Sequence, residues 1–568
     1  MITFRSMPSL VQTTFRPSRA FIRGLGRHFF SLAVLAALPG VAHAQIMLSH
    51  TDDAAPIPQG MVRFRITTGW TRFDERFTTT GRRTLGDLLS SDSLGSRQFP
   101  ALAPVEQGLQ ALANDSRVRL SFGRLDALSG ARIVTTPVIF EYGVTSRLSV
   151  GVLVPFVQTR QTVQLRVNSD SSGTVGFVPV RSRQSAAQAN SLVYSAFKSA
   201  ADSLQLLITR CPTSPLAAGC AAVIGNTSDA NAARQLAQSF ADAVKKALGT
   251  DTTNALVAPR DKSPLALAID AQRNAINTQI RKYLGANAGA TTGVFTSTSN
   301  FSYIDLQGRS GTPGFLQSPL GGGLDSIYTT NRLTTGDISV GAQLLLFDRF
   351  QHDTLPSRGL QTRMMIGGSW RFATSIIDSS RKLLGFQTGD GAGFELRSAM
   401  DVIANTFGGT IGARFVKALP RTVVAPLVGD PEATYPIPVF GNATRTAGTV
   451  IGLDLTPRFL PNDYFAIDGH YGLERTGSAT YDRSVPSSVC AGCDASVSGT
   501  FNTVARTAQR IGVGVRYSTV EAYARGRVGF PIEVSLTHLE TITGDPGTPK
   551  LFRDQLQLRM YVRLLGGQ

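Results

Sequence analysis

From Arg132 to Val167 the chain alternates apolar and polar residues around one short turn, Gly143 to Arg147. Val134, Val138, Phe140 and Tyr142 share one side of a period-two repeat, opposite Thr135 and Glu141. After the turn, Leu148, Val150, Val152, Val154 and Phe156 alternate with Ser149, Gly151 and Leu153. Successive strand residues point to opposite faces, so this pattern predicts a long antiparallel hairpin. Near Pro155 the apolar positions change phase, to Val163, Leu165 and Val167, which predicts a bulge in the second strand.

The same period returns along the chain. Met61 to Phe73 alternates Val62, Phe64, Ile66 and Trp70 against Arg63, Arg65 and Thr67. Later sets are Ile338 to Leu346, Met364 to Phe372, Phe394 to Val402, Ile411 to Phe415, Ile451 to Leu455, Phe465 to Tyr471, Ile511 to Tyr517, Ile532 to Leu539 and Leu556 to Leu564. Short connections at 143–147, 405–408 and 460–463 alternate with long ones at 168–333, 375–392, 419–443 and 476–499. Short turns on one side and long loops on the other are the outer-membrane barrel pattern. The expected fold is all-β: a transmembrane antiparallel up-and-down barrel of about twelve strands with an α-helical loop insert. Val118, Leu120 and Phe122, in the first long connection, read as an extracellular hairpin or strand extension, after a short helix around Pro104 to Ala113.

Residues 168–293 change to helical spacing. Leu192, Val193, Ala196, Phe197, Ala200, Leu204, Leu207 and Ile208 form one face, and Leu236, Phe240, Val244 and Leu248 another. A third helix opens at Ser263-Pro264 and stops at Gly285. The chain therefore divides into a leader (1–44), first strands with a long extracellular loop (45–167), a helical insert (168–293) and the remaining strands (294–568). The insert reads either as a plug over the pore or as an external subdomain.

Composition refines this reading. Five arginines precede an apolar run, Phe29 to Val41, and Ala42-His43-Ala44 forms a small-residue cleavage site before Gln45, as in a cleaved secretory signal peptide. Setting those five charges aside from a net +17 leaves +12, nearly all arginine and scattered, unlike a nucleic-acid stripe. Past the leader, no stretch has the ~20 apolar residues of a spanning helix, so barrel strands must do the crossing. The four cysteines form two close pairs, Cys211/Cys220 and Cys490/Cys493, read as local disulfides in an exported protein. Cys490 and Cys493 lack the second pair or nearby histidine that zinc needs.

With the apolar faces toward lipid, Arg363, Arg371, Glu395, Arg397, Asp401, Arg414, Asp454, Arg458, Asp468, His470, Glu474, Arg516, Arg559 and Arg563 project inward. They would either line a selective pore or fill a narrow barrel as paired charges. Past the leader the histidines are His50, His352, His470 and His538, and there is no GxSxG elbow, HExxH, Walker A loop or dinucleotide fingerprint. Thr388-Gly389-Asp390-Gly391 reads as a turn rather than a cation site. No catalytic residue, metal or other cofactor is expected.

Glu141-Tyr142-Gly143-Val144-Thr145 followed by Leu148-Ser149-Val150-Gly151 resembles a strand-turn-strand signature of one outer-membrane family. So do Gly336-Asp337-Ile338-Ser339-Val340-Gly341-Ala342 and Thr388-Gly389-Asp390-Gly391 before Phe394-Glu395-Leu396. The family is known as the MetA pathway of phenol degradation. The resemblance covers the hairpins and not the insert, and implies a barrel passing hydrophobic or aromatic compounds, with no catalytic residues to transfer. Barrels of this kind commonly finish on an aromatic residue, whereas this sequence finishes Leu564-Leu565-Gly566-Gly567-Gln568. The expected function is passive passage of small solutes across the bacterial outer membrane. The expected partners are outer-membrane lipid, lipopolysaccharide, the barrel assembly machinery and small solutes, with no nucleic acid. The alternative is a non-transporting surface barrel that displays its loops for adhesion or assembly.

Overall fold

The computed structural model describes residues 53–350, 357–376, 389, 391–426, 440–483 and 499–563. The leader (1–44), His50, His352, Asp390, the Cys490/Cys493 pair and the last five residues lie outside them. Twelve strands form the barrel: β1 (Met61–Phe73), β2 (Leu125–Gly143), β3 (Leu148–Val167), β4 (Ser339–Asp348), β5 (Ser357–Arg371) and β6 (Gly393–Asn405), then β7 (Phe407–Ala418), β8 (Val450–Phe459), β9 (Phe465–Thr476), β10 (Arg506–Ser518), β11 (Ile532–Gly544) and β12 (Phe552–Arg563). Each pairs antiparallel with its neighbours in sequence. The sheet closes where β1 meets β12, with Met61 opposite Arg563 and Arg72 opposite Phe552. Closure satisfies the backbone groups of every strand and leaves no edge, as a hydrocarbon surrounding demands.

The outer face is apolar and exposed. Val340 and Leu344 on β4, Ile366 on β5, Ile411 on β7, Val513 and Val515 on β10 and Leu556 on β12 all stand open. An apolar belt this continuous belongs against lipid, not water. Aromatic rings border it at both ends. At the short-turn end Phe407 packs on Phe459 and Phe465 on Tyr517, each with centroids 5.3 Å apart. Toward the long loops, Trp70 and Trp370 are exposed on the outer face, where amphipathic rings favour the lipid–water boundary.

The first hairpin corrects one expectation. β2 and β3 pair with no register shift, from Leu125 opposite Val167 to Gly143 opposite Ser149, and Pro137 faces Pro155 across the pair. Odd-numbered residues of β3 point inward throughout. What changes near Pro155 is polarity: beyond Phe156 the outer face carries Gln158, Arg160, Thr162, Gln164 and Arg166, all exposed. On the inner face Val163, Leu165 and Val167 pack against the apolar core above the barrel. The strand has left the lipid and entered a water-bathed layer, so the two faces exchange character. The bulge sits in the neighbouring chain instead. Between the Leu153–Ser339 and Phe156–Thr335 pairs lie two residues of β3 against three, Gly336 to Ile338.

That upper core is a helical cap of α1 (Ala103–Ala113), α2 (Arg183–Arg210), α3 (Thr227–Leu248) and α4 (Pro264–Leu284). Phe197, Leu204, Phe240, Val244, Ile276 and Ile280 fill its centre. Asn226 accepts from the Asp229 amide to cap α3, and Ser263 from the Ala266 amide to cap α4, satisfying amides that a helix start leaves bare. The core also takes Leu109 and Leu112 of α1, Leu120 and Phe122 from the first long connection, and Phe301 and Phe315 from beyond α4. Leu120 and Phe122 are therefore core residues in irregular chain, not part of the expected hairpin or strand extension. The cap rests on the upper ends of β2 and β3, joined to them through Leu125, Val163, Leu165 and Val167.

Cys211 and Cys220 are disulfide-bonded between the end of α2 and the short helix Cys220–Gly225. Cys220→Ser should lower the stability of the cap by about 2–3 kcal/mol, the scale for a short closed loop. Limited proteolysis should then cut near residues 211–220 while the heat-resistant migration of the barrel is unchanged. Equal protease resistance with and without the bond would contradict this.

Candidate functional site

The inner face of the barrel is a network of buried charges, and its positions follow from the same alternation that places Leu and Val outside. On β1 and β2, Arg63 grips Glu141 with two bonds, Nε to Oε2 at 2.7 Å and Nη2 to Oε1 at 3.0 Å. Gln343 of β4 donates to the same Glu141 at 3.0 Å. On β5 and β6, Arg363 Nε donates to Asp401 at 2.7 Å, and Thr410 of β7 donates to the other oxygen at 2.7 Å. Arg458 of β8 meets Asp468 of β9 at 2.7 Å, and Arg516 of β10 approaches the other oxygen of Asp468 at 3.4 Å. Arg559 of β12 lies 3.3 Å from Glu533 of β11. Burying a charge is costly unless it is paired, so these carboxylates and guanidinium groups hold one another in place across neighbouring strands.

Through the middle of this network runs a segment that belongs to no strand. Residues 53–58 precede β1 and lie inside the barrel. Asp53 Oδ2 accepts from Arg559 at 2.8 Å and stands 3.5 Å from Arg516. The Ala54 amide donates to Asp401 at 3.0 Å, and the Ala54 side chain packs on Met365 and Ala399. Ile57 is 2% exposed. Gly60 then donates to the Gly143 carbonyl at the short-turn end, where β1 begins. At Gly143 a Cβ would come within 2.6 Å of the Pro58 and Ile57 carbonyl oxygens, so this close approach requires glycine. The lumen is thus occupied by the leading segment, held by side chains from four strands, while the helical insert sits above β2 and β3.

The residues named from the sequence fall at several levels of this lumen. Arg363, Asp401, Arg458, Asp468, Arg516 and Arg559 belong to the central network around Asp53. Glu395 and Arg397 line a small wall cavity of about 50 Å³ with Arg65, Glu141 and Gln343, beside the side-chain-free positions Gly151 and Gly341. Arg414 Nη2 donates to Glu474 at 2.7 Å, and Arg510 reaches the other oxygen at 3.3 Å. Asp454 sits beside Arg414 on the adjacent strand, opposite Gly412. His470 is buried, with Nδ1 3.4 Å from the Thr456 hydroxyl. Arg371, at the upper rim, donates to the Gly391 carbonyl at 2.9 Å, and Asp337 accepts from the Gly391 and Ser375 amides. Arg563 is exposed at the lower end of β12.

Several charged groups escaped the sequence reading. Arg63, Arg65 and Glu141 lie on faces already read as inward, and Arg510, Glu533 and Arg553 follow the same period, so alternation alone could have found them. Asp53 carries no such signal: it lies in irregular chain, and its partner Arg559 is 506 residues away.

No protein-family model and no curated protein matches the chain. Among solved structures, it is similar to an outer membrane channel from Pseudomonas putida F1, at 7% identity over 90% of this chain and 98% of that one, with a TM-score of 0.38. It is also similar to the CymD monoaromatic hydrocarbon channel (8% identity, 93% and 95% covered, TM-score 0.25) and to the Pseudomonas putida toluene transporter TodX (9%, 90% and 91%, 0.22). Likeness at this level assigns no function. The chain is a closed twelve-stranded antiparallel β-barrel by its own strand pairing and outer belt.

Asp401→Ala should leave Arg363 and the Ala54 amide without their acceptor and destabilise the barrel by about 3 kcal/mol, the cost of breaking a buried pair. A cysteine placed at Ala55 should be shielded from a small maleimide in the parent chain and become reactive in the Asp401→Ala background. Unchanged shielding together with unchanged urea stability would refute the holding role of Asp401.

Proposed function

We propose that the chain is an outer-membrane channel for passive passage of small solutes, with its lumen obstructed at rest by residues 53–58. One observation carries this reading: the filler of the lumen is a non-strand segment held by side chains, so it can leave without breaking a strand ladder. A barrel meant only as a scaffold gains nothing from a removable centre. Hydrophobic or aromatic compounds are the favoured solutes, on the resemblance of the hairpins to the phenol-degradation family. The same proposal includes export with removal of the leader after Ala44, insertion by the barrel assembly machinery, contact with lipopolysaccharide, and no catalytic step.

A second reading, a surface barrel that displays its loops for adhesion or assembly, is favoured by the cap. There a cleft of about 760 Å³ is floored by Leu94, Phe99, Leu120, Leu306, Leu316 and Ile327. Planar-bilayer recording of the refolded chain from Gln45 separates the two. The channel reading expects discrete steps that grow several-fold when residues 53–58 are replaced by a short Gly-Ser linker, since the field and width of the lumen set the flow. Silence from both, with folded barrels verified by their resistance to heat, would reject the channel and leave the display role.

A further inference from the structure

We propose that the upper lumen holds a binding site for the carboxylate of a small organic acid, formed by Arg553 with Arg510 and Arg414. The inference rests on the channel reading and gives it a class of solute. Glu474 is the acid shared by two of these arginines, with Arg414 at 2.7 Å and Arg510 at 3.3 Å. Glu395 and Asp454 also act on Arg414. Arg553 is placed differently. The charged groups that bear on it are Arg510, Arg414 and Glu474, so two cations and one already shared carboxylate surround it. Among the described residues, no hydrogen bond or ion pair engages its side chain, and its Nε is buried without a partner.

The absence of a side chain at Gly69 makes room for the guanidinium of Arg553, and a hydroxyl borders it. The Arg553 side chain occupies the space beside Gly69 on β1, where a Cβ would stand 3.0 Å from both Nε and Nη2. The Thr135 hydroxyl of β2 borders the same space, 3.3 Å from that point, and it too is buried without a partner. Inside a barrel a guanidinium without an anion is costly, and a planar carboxylate matches its fork of donors with two parallel bonds. The Thr135 hydroxyl can donate a further bond to the same group. Arg553 remains partly exposed on the inward face of β12, so a solute in the lumen can reach it. An aromatic acid such as benzoate would present its charge here and its ring to the lumen.

The test uses the full mature chain, the variants Arg553→Gln and Arg553→Lys, and benzoate as the probe. Calorimetric titration of the detergent-solubilised barrel should show saturable benzoate binding, weakened about tenfold or more in Arg553→Gln, the scale of one charge-assisted bond. Arg553→Lys, which keeps the charge but not the fork, should fall between them. Inorganic phosphate should compete about tenfold more weakly than benzoate, lacking the planar match. Absence of binding in the parent chain, or equal binding in parent and Arg553→Gln, overturns the site; equal competition by phosphate overturns the carboxylate assignment. Migration of unheated samples verifies that each variant is folded. In bilayers, Arg553→Gln should lower the anion-to-cation permeability ratio about threefold, from loss of one lumen charge. A chain that stays silent both with and without residues 53–58 but still binds benzoate would reject the channel and keep the site, whereas a conducting chain indifferent to Arg553 would do the reverse.

Discussion

Everything in this molecule depends on the pairing of β1 with β12. Lipid offers no hydrogen bonds, so a strand edge left open there would carry a row of unsatisfied amides and carbonyls. Joining Met61–Arg72 to Phe552–Arg563 removes the edges that β1 and β12 would otherwise present. Once closed, the sheet has an inside, and the period-two repeat divides every strand between two solvents. The leucines and valines turned outward need no further partner. The arginines and carboxylates turned inward need one another, and the pairs they form run across strand boundaries: Arg63 to Glu141, Arg363 to Asp401, Arg458 to Asp468.

The helical cap obeys a different solvent. It is bathed in water, so it builds a conventional apolar centre, and it borrows residues from both sides of the insert to complete it. The change of medium is recorded on β3. Below Phe156 the apolar side chains of the hairpin face lipid; above it, the apolar inner face serves the cap and the polar outer face meets water. A single strand thus contributes to two cores of opposite geometry without altering its pairing with β2.

The sequence made strands and helices legible because each lies in a medium that imposes a period. The positions of β4 to β12 and the cap helices follow from alternation, helical spacing, capping residues and turn lengths, as does the close cysteine pair at 211 and 220. The hairpin was misread for the same reason. Alternation reports only which face is apolar, and a change of surroundings at Phe156 looks identical to a slip of register. The lumen pairs were legible as inward charges but not as pairs, since register between strands decides who meets whom. Leu120, Phe122 and Asp53 were beyond reach, because irregular chain has no period and their partners arrive from distant parts of the sequence.

The lodging of residues 53–58 inside the barrel bears on how the barrel is made. Asp53 is tied to Arg559 and Ala54 to Asp401, residues that follow them by 506 and 347 positions. The segment before β1 therefore finds its seat only when strands far along the chain from it are in place. The seat tests the closure: a β12 shifted by one residue would turn Arg559 toward lipid and deprive Asp53 of its 2.8 Å donor. The leading segment is in this sense a gauge of correct assembly, read from within the finished cylinder.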